Sequence, residues 1–314
     1  MTFQSKPSFP RDISRDTRSS TAVESGGIVP LAQIHQEIDE ASAALWCFIR
    51  ADASPHFSSA LLHDVATMQA ALPRLQAARR EAGQAPLRYY VSGSRIPGVF
   101  NLGGDLALFM NAIRADDRQG LRAYARLCIE VAYNIHVAFH LPLITISMVQ
   151  GEALGGGFEA ALSADVIVAE RSARFGLPEV LFNLFPGMGA MSFLSRRMDA
   201  ARAEKMILSG RVYTAAEMEA MGIVDVVAED GFGEETVRDY IAHDQRRHNA
   251  HYAMCQARRR VNPVTFEELS DITDLWVDAA LRLTESDLRR MARLVAAQAR
   301  RRGVAIAPER VAAE

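Results

Sequence analysis

The chain has 314 residues, of which 49% are hydrophobic and 23% charged, and its formal net charge is −3. This length and hydrophobic content suffice for one large buried core with an appendage. The slightly negative charge disfavours a general nucleic-acid binder. The sequence contains no run of 18 apolar residues, so we expect no insertion into a membrane.

Residues 1–27 are polar and lack the apolar stretch of a secretory signal, so we expect a disordered N-terminal tail and a cytoplasmic protein. The three cysteines, Cys47, Cys128 and Cys255, are scattered, which favours a reducing compartment over a disulfide framework. The eight histidines show no metal-ligand spacing. We therefore expect no metal and no other cofactor.

The hydrophobic pattern predicts alternating strands and helices in the first half of the chain. Edge strands are predicted at residues 34–39 and 44–49. Buried strands are predicted at residues 87–91, 143–149 and 165–169. Helices are predicted at residues 57–82, 106–113 and 117–139. This alternation indicates an α/β fold.

The second half is predicted to be mainly helical. Helices are predicted at residues 201–209, 215–221, 233–260 and 264–302, and a strand at 223–227. We therefore divide the chain into the N-terminal tail (1–27), a core (28–232) and a C-terminal helical region (233–314).

One stretch in the core joins glycines to carboxylates. Gly155, Gly156 and Gly157 stand between a predicted strand and a short apolar segment that contains Glu159, and Glu179 follows in a later turn. Glycines at a helix start let the backbone approach a ligand, and the exposed amides favour negative charge. The simpler interpretation is an ordinary loop, with Glu159 complementing the helix dipole.

Three signatures together make the chain resemble the crotonase (enoyl-CoA hydratase/isomerase) superfamily. They are Asn-Leu-Gly-Gly-Asp at residues 101–105, Gly-Glu-Ala-Leu-Gly-Gly-Gly-Phe-Glu at 151–159, and Phe-Gly-Leu-Pro-Glu at 175–179 followed by Pro-Gly-Met-Gly at 186–189. The resemblance covers roughly residues 85–230. It implies a spiral of ββα units with a C-terminal helical region, and a homotrimer or hexamer.

The resemblance also implies roles for four residues. The backbone amides of Gly104 and Gly156 would form an oxyanion hole, in which two fixed donors stabilise the charge that develops on a thioester oxygen. Glu159 and Glu179 would be the acid–base pair, which is typical of hydratase or dehydratase chemistry.

Further details look like the bacterial synthases of diffusible signal factors, which are cis-2-unsaturated fatty acids used in quorum sensing. The details include Val-Phe-Asn-Leu-Gly-Gly-Asp-Leu at residues 99–106 and Phe-Asn-Leu-Phe-Pro-Gly-Met-Gly-Ala at 182–190. This likeness implies dehydration of a 3-hydroxyacyl thioester of acyl carrier protein, followed by hydrolysis of the thioester. Two alternatives stay open: an enoyl-CoA hydratase of fatty-acid degradation, and a regulatory protein that binds a sensor kinase through a crotonase scaffold.

An acyl chain would need an apolar pocket. Leu181, Phe185 and Met188 follow Glu179 closely, and Trp276 is on a predicted C-terminal helix that could cap a tunnel. The simpler interpretation is that these residues belong to the ordinary core. Arginine runs at residues 258–260 and 300–302 could dock an acidic carrier protein, although charge runs are usually solvated surface.

Overall fold

The computed structural model describes residues 28–301 of the chain. The expected N-terminal tail lies outside these residues, as does the end of the C-terminal region. The fold contains two sheets that lie side by side in the core, and helices pack against them.

The main sheet contains six strands in the spatial order β1-β2-β3-β5-β7-β10. Its strands are β1 (Ile34–Asp39), β2 (Ala44–Ile49), β3 (Tyr89–Ser94), β5 (Ile144–Val149), β7 (Val166–Glu170) and β10 (Val226–Ala228). β1 is antiparallel to β2, and every other neighbouring pair is parallel. All six residues of β5 are buried, as expected for a parallel strand covered on both faces.

The second sheet contains four short strands in the order β4-β6-β8-β9. They are β4 (Val99–Asn101), β6 (Glu152–Leu154), β8 (Arg174–Gly176) and β9 (Val212–Thr214). β4, β6 and β8 each follow a strand of the main sheet along the chain, and each precedes a helix or a helical turn. The repeated strand, short strand and helix confirm the predicted α/β fold of ββα units.

Helices cover both sheets. In chain order they are α1 (Ser59–Glu81), α2 (Leu106–Arg114), α3 (Arg118–His136), α4 (Gly156–Ser163), α5 (Ala190–Leu194), α6 (Ala200–Ser209), α7 (Ala215–Ala220), α8 (Gly233–Asp244), α9 (His248–Val261), α10 (Phe266–Ala280) and α11 (Glu285–Arg301). Short 3₁₀ turns lie at Ala138–His140 and Pro178–Phe182. Within the described residues, no helix has the length and apolarity needed to cross a bilayer.

Three predictions about the elements were wrong in detail. β2 is not an edge strand, because β3 pairs with its free side and five of its six residues are buried. The strand predicted at residues 223–227 is confined to Val226–Ala228. The two long C-terminal helices are in fact four, since turns near residues 245–247 and 281–284 interrupt them.

The C-terminal helices pack in two places. α8 packs against one face of the main sheet, where its residues Val237 and Ile241 are fully buried. α10 lies along α3, and α11 packs on α2 and on the 3₁₀ turn Pro178–Phe182. α10 and α11 therefore lie over the side of the core from which Glu179 projects.

Candidate active site

Glu159 is buried at the start of α4. Gly155 precedes the helix with a φ of +52°, a conformation that favours glycine, and lets the chain turn sharply from β6 into α4. Glu159 is only 1% exposed, and its Oε1 accepts hydrogen bonds from the amides of Met188 (2.8 Å) and Ala190 (2.9 Å). Burial raises the pKa of Glu159 above its ordinary value, although the two amides oppose this shift.

Glu179 is the second residue of the 3₁₀ turn that follows β8. Its Oε2 is buried and has no hydrogen-bond partner among the described residues. Burial raises the pKa of Glu179, and the neighbouring charge of Glu159 raises it further. Two carboxyl groups that interact in this way titrate as a pair, and the first proton is lost more easily than the second.

The amide of Gly104 lies in the loop after β4, next to the amide of Gly156 at the first residue of α4. Hydrogen bonds fix the chain on both sides of Gly104: the amide of Gly103 donates to Asn101 Oδ1 (2.8 Å) and the amide of Asp105 to the Tyr124 hydroxyl (3.1 Å). Gly156 is the first residue of α4, so its amide has no acceptor within the helix.

The two glycines are also close in space. The nitrogen of Gly104 lies 3.6 Å from the position that a β-carbon on Gly156 would take. Both glycines border the same cavity as Glu159 and Glu179. The structure thus brings together the four residues that the signatures indicated.

The rest of the cavity is mainly apolar. Its lining includes Leu102, Leu106, Phe109, Phe182, Leu184, Met188, Trp276 and Leu294. The free space is about 30 Å³, room for roughly two water molecules. The Met188 sulfur occupies part of the remaining volume, because it lies 2.7 Å from the β-carbon position of Gly156.

Of the four predicted pocket residues, the structure places Met188 and Trp276 in the lining but not Leu181 or Phe185. Leu181 is 55% exposed. In a 3₁₀ turn the side chains three positions apart share a face, so Phe182 rather than Leu181 lies on the side of Glu179.

Phe185 does not line the cavity; it follows Asn183, which ends the 3₁₀ turn in the left-handed conformation with a φ of +65°. Leu184 then lines the cavity, whereas Phe185 packs against the hydrophobic core. If a tight turn had been predicted after Glu179, the three-residue spacing within it would have indicated Phe182 as a lining residue. The contribution of Phe109 and Leu294 had no local signal, since these residues are far from Glu179 in sequence.

The arginine run at residues 258–260 is partly neutralised. The guanidinium groups of Arg258 and Arg259 both donate to the buried carboxylate of Asp165, at 2.8 and 2.6 Å. These two residues therefore do not form a free basic patch. The side chains of residues 300–302 lie outside the described part of the chain.

No metal site is evident in the part of the chain that the structure describes. Residues 28–301 contain no group of three His, Cys, Asp or Glu side chains that could hold a metal ion. The cavity itself is bordered by two carboxyl groups, the two glycines, the side chain of Gln298 and an apolar wall.

Curated relatives match part of the chain. A probable enoyl-CoA hydratase of Rhizobium meliloti is 45% identical over 93 residues, which are 29% of this chain and 36% of the relative. The 2,3-dehydroadipyl-CoA hydratase of Escherichia coli is 46% identical over 90 residues, which are 29% of this chain and 34% of the relative. The chain thus matches about a third of the length of each relative.

Solved structures match most of the chain. Human mitochondrial delta3-delta2-enoyl-CoA isomerase aligns with a TM-score of 0.69 and 17% identity, over 87% of this chain and 100% of that one. Pseudomonas aeruginosa DspI aligns with a TM-score of 0.61 and 20% identity, over 76% and 93%. Residues 89–270 match the enoyl-CoA hydratase/isomerase family. Since this match covers more than half of the sequence and includes both glutamates, the chain belongs to the enoyl-CoA hydratase/isomerase family of the crotonase superfamily.

Proposed function

We propose that the protein removes water from, or adds water to, the Cα–Cβ bond of an acyl thioester, with Glu159 and Glu179 as the acid–base pair. The observation that carries this proposal is the convergence of two buried carboxyl groups with raised pKa values beside the amides of Gly104 and Gly156. Paired carboxyl groups of this kind can divide the roles of acid and base between them.

The dehydration requires one proton on the pair. The ionised carboxylate takes a proton from Cα, and the protonated carboxyl group gives one to the β-hydroxyl, which leaves as water. The products are a 2-enoyl thioester and water, and the pair keeps a single proton. Because burial raises both pKa values and the charge of Glu159 raises that of Glu179 further, the singly protonated pair is favoured closer to neutral pH than for free glutamates.

The two glycine amides would act on the thioester oxygen. Loss of the Cα proton places negative charge on this oxygen, and two fixed donors in a buried cavity stabilise that charge. The Met188 sulfur now lies over Gly156. Substrate entry would therefore displace the Met188 side chain, whose unbranched thioether rotates easily.

The finer proposal is the synthesis of a cis-2-unsaturated fatty acid signal. A 3-hydroxyacyl thioester of acyl carrier protein would first be dehydrated, and a water activated by one of the glutamates would then cleave the thioester to the free acid and the carrier thiol. The signatures at residues 99–106 and 182–190 support this reading. The apolar lining, to which Trp276 and Leu294 contribute from the C-terminal helices, would suit an acyl tail in chemistry, and the tail would have to move lining side chains because the free space is only about 30 Å³.

The second candidate is an enoyl-CoA hydratase that leaves the thioester intact. It is favoured by the names of the curated relatives, which describe CoA hydratases. Both candidates use the same glutamates and amides, and they differ in the carrier and in the fate of the thioester.

The test is chromatography against cis and trans standards, coupled to mass spectrometry, of the products formed from 3-hydroxydodecanoyl thioesters of acyl carrier protein and of CoA. Glu159→Gln and Glu179→Gln remove each acid–base group with little change in shape, and Glu235→Gln is the control on an exposed face of α8. We expect a free cis-2-enoic acid from the carrier-protein substrate with the wild type and the control, and roughly 10²–10⁴-fold less with either active-site variant.

A trans-2-enoyl-CoA with its thioester intact would establish the hydratase instead. Turnover of neither thioester, or unchanged turnover in both glutamine variants, would refute the proposed acid–base pair.

A further inference from the structure

A short loop lies between Glu159 and the C-terminal helix α10 and makes contact with both. The loop consists of residues 186–189, and the amides of Met188 and of the following Ala190 donate to Glu159 Oε1. These are the two hydrogen bonds that oppose the rise in the pKa of Glu159. Whatever fixes this loop therefore also fixes the catalytic carboxylate.

α10 holds the loop from the other side. The hydroxyl of Thr273, which is fully buried, donates to the carbonyl oxygen of Gly187 at 3.1 Å. The Trp276 ring lies directly against Gly187, so that a β-carbon on Gly187 would overlap the ring. The loop is thus bound to α10 by a hydrogen bond and by close packing against the Trp276 ring.

The Gly187 carbonyl and the Met188 amide belong to one peptide group. A peptide group is planar and rigid, so the hydrogen bond from Thr273 to its oxygen sets the direction of its N–H. The same bond polarises the peptide and strengthens the donation from that N–H, because hydrogen bonds in a chain reinforce one another. Thr273, the Gly187–Met188 peptide and Glu159 therefore form a continuous chain of hydrogen bonds.

α10 is itself anchored independently of the loop. Arg122 on α3 makes two hydrogen bonds to Asp274, both 2.6 Å long. Arg126, also on α3, donates to Ser270 at 2.9 Å. α3 therefore gives Thr273 a fixed position from which to act on the loop.

We propose that Thr273 is a positioning residue for Glu159, acting through the Gly187–Met188 peptide group. In this arrangement the C-terminal helical region orients the carboxylate in addition to closing the cavity. The effect that a Thr273 substitution should have on turnover rests on the proposed function. Its effect on the titration of Glu159 does not.

The test compares three full-length variants with the wild type. Thr273→Val keeps the shape and removes the hydroxyl, Thr273→Ser keeps the hydroxyl, and Ser270→Ala removes a neighbouring hydrogen bond of α10 without touching the loop. The titration of Glu159 is followed by NMR with ¹³C-carboxyl-labelled glutamate, and its resonance is assigned with Glu159→Gln. If Thr273→Val does not fold, Thr273→Ala, which adds no bulk, takes its place.

We expect the titration of Glu159 to move to higher pH in Thr273→Val, because weaker amide donation stabilises the ionised form less. Thr273→Ser and Ser270→Ala should titrate like the wild type. The turnover number of Thr273→Val should fall roughly 3- to 10-fold, with little change in KM, and its pH profile should shift in the same direction.

Three outcomes would overturn the proposal: an unchanged titration in Thr273→Val, a shifted titration in Thr273→Ser, or an equal shift in Ser270→Ala. The last would show that any loosening of α10 has this effect. A wild type that turns over no acyl thioester would refute the proposed function, and the titrations would still decide the role of Thr273.

Discussion

The Oε1 atom of Glu179 lies so close to Gly155 that a β-carbon on Gly155 would stand only 2.5 Å from it. Gly155 also has a φ of +52°, which a residue with a side chain adopts at a cost. The glycine therefore serves two purposes, since it allows the sharp turn into α4 and leaves room for the carboxylate of Glu179.

Gly155→Ala should lower the rate of turnover by about 10²-fold or more, because the new methyl group displaces Glu179 from the cavity. It should also lower the free energy of unfolding by roughly 1–3 kcal/mol. Steady-state kinetics and thermal unfolding measure the two effects. Gly83→Ala is the matched control: Gly83 has a φ of +70° but nothing lies within 4 Å of its β-carbon position. Gly83→Ala should lower the free energy of unfolding and leave the turnover rate unchanged. Equal turnover rates in Gly155→Ala and Gly83→Ala would contradict the role of Gly155.

The sequence predicted the part of the site that is built locally. Glu159 and the glycines before it lie within one turn between a strand and a helix, so their spacing carries the information. The hydrogen-bond partners of Glu159 are the amides of Met188 and Ala190, 29 and 31 residues away. No pattern in the sequence indicates which distant amides will reach a carboxylate.

The wall of the cavity was predicted less well for a similar reason. Leu181 and Phe182 are adjacent apolar residues, and only the 3₁₀ conformation of the turn decides which of them faces inward. The predicted strands gave the α/β class correctly. The position of β2 inside the sheet depends on its pairing with β3, whose paired residues lie 45 positions further along the chain, as in Ala44 with Tyr89.

The adjacent residues Leu181 and Phe182 offer a direct test of the cavity wall. Phe182→Leu should raise KM for a twelve-carbon acyl thioester by roughly 3- to 10-fold and affect a four-carbon substrate less, because it removes apolar contact with the tail. Leu181→Ala should leave both KM values unchanged and the free energy of unfolding within about 0.5 kcal/mol. Equal effects of the two substitutions on the long substrate would show that the tail lies elsewhere.

A substitution of Asp165 tests whether this residue neutralises the arginine run at residues 258–260. The Asp165 carboxylate accepts hydrogen bonds from Thr145, Arg258 and Arg259, and its side chain is almost fully buried. Asp165→Asn should lower the free energy of unfolding by roughly 3 kcal/mol, because it leaves two guanidinium groups without their counter-charge. Arg260→Ala, at an exposed position on the same helix, should change stability by less than about 0.5 kcal/mol. Chemical denaturation measures both, and a comparable loss in the two variants would contradict the pairing.

The raised pKa of Glu179 predicts a dependence of stability on pH. The folded protein holds the Glu179 proton to a higher pH than the unfolded chain does, because burial and the charge of Glu159 disfavour ionisation. The folded state therefore binds more protons between the ordinary glutamate pKa and the raised one, and its stability falls as the pH rises through this window.

Glu179→Gln removes this titration, so the variant should become more stable relative to the wild type as the pH rises from 5 to 9. The pH-dependent part of this difference should reach roughly 1–3 kcal/mol at the upper end and fade below about pH 4, as Glu179 becomes protonated in the unfolded chain as well as in the folded protein. Urea unfolding at a series of pH values measures it, with Glu235→Gln as the control on an exposed carboxylate. A pH-independent difference would mean that Glu179 ionises in the folded protein as it does in the unfolded chain, and the acid–base pair would then lose its main electrostatic support.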